Sequence, residues 1–204
     1  MQELTKSRAL WSKGFTLIEM MVVTAVISIF AALGLPGMRA FVAGGRLVTQ
    51  TNDVISALQV ARSEAIRLNT PVTFCRVANN TATTCLGGSG GEDWKFWAVL
   101  APALTQPVLR RGEISAANIN VKVSSQVASR VSGDDTNNAV TFGSDSLARR
   151  TDGRALVNGN LRVCSTDDSL TSNFRLIQIV GGGRVFLNKE SSTGRSTCMN
   201  SVTD

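Results

Sequence analysis

The sequence predicts an α+β protein: one long N-terminal helix, apolar in its first half, followed by a C-terminal domain of antiparallel β-sheet on which that helix packs. Three observations carry this. Phe15 to Met38 reads FTLIEMMVVTAVISIFAALGLPGM, with Glu19 as its single charge, and a membrane-crossing helix needs about 20 such residues. Beyond it, apolar residues recur at helical spacing as far as Leu68. After Pro71 the chain changes to short β-branched and aromatic runs separated by Gly, Asn, Ser and Asp clusters.

The chain has 204 residues, which after one hydrophobic anchor leaves enough for a single globular domain with a modest core. It contains no histidine, so the usual general base, the neutral-pH switch and the commonest metal ligand are all missing. Without a histidine, serine hydrolase chemistry lacks its base as well. The composition points away from an enzyme and implies no cofactor. The formal net charge is +6, from 21 Lys and Arg against 15 Asp and Glu, a mild attraction for polyanions. Part of that excess lies at the extreme N-terminus, where Lys6, Arg8 and Lys13 outweigh Glu3.

The basic stretch before the anchor stays cytoplasmic by the positive-inside rule, which sends the domain to the far side of the membrane. An ordinary secretory signal, cut near Ala31, Ala32 or Gly34, is the competing reading, but such signals have shorter apolar regions and seldom carry an acid. A carboxylate within a membrane helix costs about 2.5–3.5 kcal/mol and calls for a partner. Cleavage between Gly14 and Phe15 would create one, a new amino terminus about one helical turn before Glu19.

The residues Lys13-Gly14-Phe15-Thr16-Leu17-Ile18-Glu19 resemble the processing motif of type IV prepilins. The resemblance implies that a prepilin peptidase cuts after Gly14 and methylates Phe15, that Glu19 registers subunits in a filament, and that Pro36 kinks the helix at the end of its membrane half. It implies a type IV pilin fold with a leader at 1–14, a transmembrane and filament-core helix at 15–37, a continuation of that helix at 38–70 and a β-rich head at 71–204.

In the continuation, Val48, Val54, Leu58, Ala61, Ala65 and Leu68 form the expected buried stripe. Gly44 and Gly45 are expected to interrupt the helix, and Asn69-Thr70-Pro71 to end it. Strands are expected at Val72–Val77, Trp94–Leu100, Ile119–Val123, Ala139–Phe142, Leu161–Cys164, Phe174–Val180 and Arg184–Leu187, with loops at Leu86–Asp93 and Ser132–Asn138. Four cysteines follow the anchor, which fits an oxidising compartment and allows three pairings. Cys75 with Cys85 would close a short polar loop, and Cys164 with Cys198 would staple the C-terminal tail to an earlier strand. A zinc site is the alternative, though no Cys-x-x-Cys is present.

Phe142-Gly143, Gly153-Arg154, Leu161-Arg162-Val163-Cys164, Phe174 to Ile179 and Gly183-Arg184-Val185 follow one another in sheet-like order. This succession resembles the GspH and FimT family of type IV pilin-like proteins, and the late cysteines resemble its FimU-type minor pilins. The resemblance implies a structural component of the complex that starts pilus assembly and stays at its tip, with other minor pilins, the major pilin, the prepilin peptidase and the inner membrane as partners. The type II secretion pseudopilin H is the alternative within the family. A further branch captures DNA through a Gly-Arg-x-Arg tail. Here Gly183-Arg184 and Gly194-Arg195 lack the second arginine, and Arg184, Lys189 and Arg195 would have to gather on one face to bind nucleic acid. Leu86–Asp93 and Ser132–Asp135 are candidate partner contacts, and Asp134-Asp135 and Asp167-Asp168 are candidate calcium loops without the usual alternating spacing.

Overall fold

A computed structural model describes residues 14–87, 94–115, 118–123, 139–149, 156–167, 169–170, 172–180 and 182–190, the side chains of 33–36 and 189–190 excepted. Helix α1 runs from Leu17 to Leu68, and the chain divides into two compact units, Met1–Arg39 and Ala40–Asp204.

In the first unit the helix shows apolar side chains on every side: Leu17, Ile18, Met20, Met21, Val22, Val23, Val26 and Ile27 are all exposed. Its hydroxyls are satisfied internally, Thr24 Oγ1 donating to the Met20 carbonyl and Ser28 Oγ to the Thr24 carbonyl. Among the described residues no single unbroken helix is long and apolar enough to cross a membrane. Leu17–Ala32 and Gly37–Leu68 together meet that requirement by length and composition.

In the second unit the helix buries one stripe, Leu47, Thr51, Val54, Leu58, Ala61 and Ala65, with Ala57 beside it. The stripe begins at Leu47 rather than the expected Val48, which is exposed. One residue is about 100° around a helix, so only Leu47 falls in line with Thr51 and Val54. Gly44 and Gly45 do not interrupt α1; Gly44 lies against the Leu170 side chain instead. Asn69 ends the helix in the left-handed region at φ 50°, its N–H reaching the Ile66 carbonyl at 3.3 Å, as C-terminal capping by Asn requires.

Among the described residues the head contains β1 (Val72–Val77), β2 (Phe96–Leu100), β3 (Val108–Glu113), β4 (Ile119–Val123), β5 (Ala139–Phe142), β6 (Ala148–Arg149), β7 (Gly159–Ser165), β8 (Phe174–Val180) and β9 (Arg184–Glu190). They form a five-stranded sheet of order β3-β2-β1-β5-β6 and a four-stranded sheet of order β4-β7-β8-β9, and every pairing is antiparallel. Trp94, expected in a strand, precedes β2 and donates its amide to the Val121 carbonyl of β4 at 3.0 Å, a hydrogen bond between the sheets.

One core joins the helix stripe to Val72, Phe74, Val99, Val140 and Phe142 of the larger sheet and to Val121, Leu161, Val163, Ile177 and Ile179 of the smaller one. Full burial of each Val or Leu in the helix stripe contributes about 1.5–3 kcal/mol. The alanines at 57, 61 and 65 have no exposed surface, and their small size lets sheet side chains approach the helix axis. Phe74 packs with Trp94 and Trp97 at centroid separations of 5.4 and 5.7 Å. Edge strand β3 is tied to α1 by Arg110, whose guanidinium donates to Ser56 Oγ at 2.7 Å. Gly112 of β3 lies under the Trp97 indole, where a Cβ would come within 2.0 Å of the ring.

Candidate processing and assembly site

The expected processing residues lie at the start of α1. Gly14, Phe15 and Thr16 are non-helical and exposed. Thr16 Oγ1 accepts the Glu19 N–H at 3.3 Å, and the Thr16 carbonyl accepts the Met20 N–H, also at 3.3 Å. Thr16 is therefore the N-cap, and Glu19 stands in the first turn, where a carboxylate faces the positive end of the helix dipole. Phe15 is 77% exposed and, among the described residues, nothing lies within 4 Å of a Cβ built on Gly14. Pro36 lies within α1. Its missing N–H removes the bond to the carbonyl four residues earlier, and its side chain is outside the described residues.

In the head, Cys75 and Cys85 form a disulfide. The loop between them is pinned on the larger sheet: the Leu86 N–H donates to the Arg76 carbonyl at 2.7 Å, Arg76 to the Gly87 carbonyl at 3.0 Å, and Arg111 to the Asn80 carbonyl. It covers a small second core of Cys75, Val77, Ala98, Leu100 and Ala139. Cys164 is buried beside Phe174 and is disulfide-bonded; Cys198 lies outside the described residues. Of the candidate contact loops, only Leu86 and Gly87 are described, and Ser132–Asp135 lies outside.

The register of β9 bears on the proposed cluster of cations. Arg184 pairs with Val180, and the side chain of Lys189 lies outside the described residues. The Arg184 guanidinium lies 5.6 Å over the Phe186 ring, and Arg195 is outside the described residues. Gly183 has its own reason to be glycine: φ is +71°, and a Cβ would stand 2.0 Å from the Ser146 carbonyl oxygen and 3.4 Å from Arg62 Nε.

That contact is a junction the sequence did not reveal. The β8–β9 turn of one sheet meets the β5–β6 turn of the other, and Arg62 of α1 closes it by donating to Ser146 Oγ at 3.3 Å. The β5–β6 turn is shaped by Asp145, which pairs with Arg149 and accepts the Leu147 N–H. The Arg149 hydrogen bond, then that of Leu147, holds the Asp145 carboxyl below its ordinary range. Asp167 uses its carboxylate locally, accepting the Ser169 N–H and O–H; Asp134, Asp135 and Asp168 are outside the described residues. Among the described residues no cluster of three or more His, Cys, Asp or Glu side chains is present.

The family model described as type II transport protein GspH matches residues 50–183, and that described as prokaryotic N-terminal methylation motif matches residues 12–35. Among solved structures, the type IV minor pilin FimU of Pseudomonas aeruginosa strain PAO1, in space group P21, is similar with a TM-score of 0.50 and 18% identity over 76% of this chain and 98% of that one. The same protein in space group P65 gives 0.45 and 17% over 71% and 95%. At that identity the first likeness shows the fold alone, the α+β fold of a type IV pilin. No curated protein sequence matches the chain.

Proposed function

Because the chain belongs to the GspH family of pilins and pseudopilins, we propose that it is a minor pilin of a type IV pilus, a structural component of the complex that initiates assembly and remains at the tip. One observation carries this reading: a methylation motif at 12–35 and a GspH head at 50–183 share a single helix, α1. On this reading residues 1–14 are a leader, the peptidase cuts between Gly14 and Phe15 and methylates Phe15, 15–37 span the inner membrane once and later enter the filament core, 38–70 carry the helix into the head, and 71–204 stand in the periplasm. The Cys75–Cys85 bridge suits that oxidising compartment. Glu19 registers the subunit against its neighbours, Pro36 kinks the helix, and Cys164 pairs with Cys198. The partners are other minor pilins, the major pilin and the prepilin peptidase. No chemistry is asked of the head; its work is to present loops and sheet edges.

The description of the matched family favours a second reading, a minor pseudopilin of type II secretion. Deleting the gene and scoring sheared surface pili beside the secreted-protein profile separates the two. Loss of pili with normal secretion supports the pilus role, and loss of secretion with normal pili assigns the chain to the pseudopilus. Loss of neither brings DNA capture forward and sinks both.

A further inference from the structure

The bond assigned above to the peptidase lies just outside a helix. Gly14, Phe15 and Thr16 are non-helical, and α1 begins at Leu17. Thr16 sets that boundary, because its hydroxyl oxygen accepts the Glu19 N–H and its carbonyl accepts the Met20 N–H, each at 3.3 Å. Threonine followed three residues later by glutamate is a capping-box sequence, and an N-cap residue keeps non-helical dihedrals. The residues before it therefore stay outside the helical ladder.

This placement matters for hydrolysis. Water must add to the Gly14 carbonyl carbon; the C–N bond then breaks, Gly14 keeps a carboxylate and Phe15 leaves with an amino group. A carbonyl already accepting a helical hydrogen bond is curled away from an extended cleft. Without the Thr16 hydroxyl the next residue suited to capping is Gly14 itself, since glycine caps about as well as threonine. The helix would then begin at Phe15, and the Gly14 carbonyl would accept the Ile18 N–H.

We propose that Thr16 is a positioning residue for maturation, its side chain holding the start of α1 at Leu17 so that the Gly14–Phe15 peptide stays outside the helix for the peptidase. This inference rests on the reading that the chain is cut there. It assigns Thr16 work before filament assembly, distinct from any contact made by Glu19 in the filament.

The test uses the full-length precursor in membranes with a prepilin peptidase, following conversion by gel shift and mass spectrometry. Thr16→Ala should lower the initial cleavage rate about fivefold, which corresponds to a cap of about 1 kcal/mol. Thr16→Ser should restore it to within about twofold, because serine caps at least as well. Exchange of the Glu19 amide, read in parallel, should quicken in the alanine variant and not in the serine variant. Cleavage of Thr16→Ala at the wild-type rate, equal slowing by alanine and serine, or slowing without faster Glu19 exchange would each overturn the proposal. Failure of the wild-type chain to be cut between Gly14 and Phe15 defeats instead the processing reading beneath it.

Discussion

Alanine at Gly183 meets two separate penalties. The residue sits at φ +71°, where a side chain costs about 1–2 kcal/mol. The new Cβ would also stand 2.0 Å from the Ser146 carbonyl oxygen, and relieving such a contact in packed structure costs about 1–3 kcal/mol. Retreat of the β5–β6 turn is opposed by the Arg62–Ser146 hydrogen bond and by the Asp145–Arg149 pair. Gly183→Ala should therefore lose about 2–5 kcal/mol. For a domain of this size that lowers the melting temperature by about 5–15 °C. Gly182→Ala is the control, because a Cβ there meets nothing within 4 Å, and its effect should stay within about 0.5 kcal/mol. Thermal unfolding of the detergent-solubilised chain, followed by fluorescence of the buried Trp94 and Trp97, reads both. Wild-type melting of Gly183→Ala would refute the junction; equal damage from Gly182→Ala would place the sensitivity in the turn rather than in its contact with Ser146.

Three further outcomes follow from the same geometry. Gly112→Ala drives a Cβ into the Trp97 ring and should cost about 1–3 kcal/mol, with a change in tryptophan emission. Reducing the Cys75–Cys85 bridge, or replacing both cysteines by serine, releases a loop with a sequence separation of 10 and should lower stability by about 3 kcal/mol on the chain-entropy account, measured by denaturant unfolding. The Asp145 carboxyl is held low by Arg149, so its stabilising effect is present above the ordinary carboxylate range and is lost as pH falls through the lowered pKa. Asp145→Asn should thus melt below wild type at neutral pH, and the gap should close in acid; a gap independent of pH would show that the charge is not what matters.

What could be read from the sequence was mostly local. The motif from Lys13 to Glu19 is contiguous, the helix end at Asn69-Thr70-Pro71 carries its own breakers, and β1 and β5 match their apolar runs because β5 is buried along its whole length and β1 everywhere but at Arg76. Strand β3 is hidden in the sequence because VLRRGE has two arginines and a glycine. These suit an unpaired sheet edge and blur the strand pattern; Arg110 reaches the helix and Gly112 makes room for Trp97. In sequence Gly183-Arg184 looks like half of a nucleic-acid motif, and nothing nearby shows that the glycine also answers to Ser146, a residue far away in the chain. The junction of Arg62, Ser146 and Gly183 could not be read at all, since no local pattern links a helix position to two turns of different sheets.

Helix α1 also encodes two environments in one element, and they can be tested apart. Between Leu17 and Phe30 it is apolar on all sides and exposed, a pattern that is stable only when lipid or other helices surround it. From Leu47 to Ala65 a single stripe is buried in the core of the head, while Asn52, Gln59 and Ser63 face outward. A charge in the first stretch, as in Ile27→Asp, should cost about 2.5–3.5 kcal/mol of membrane insertion and leave head melting unchanged. A larger side chain in the stripe, as in Ala61→Leu, should cost about 1–3 kcal/mol of head stability and leave membrane retention unchanged. Fractionation of membranes and thermal unfolding of the head give the two readouts. If either substitution moved both, the two halves of α1 would be energetically coupled, and reading them as separate burial environments would be wrong.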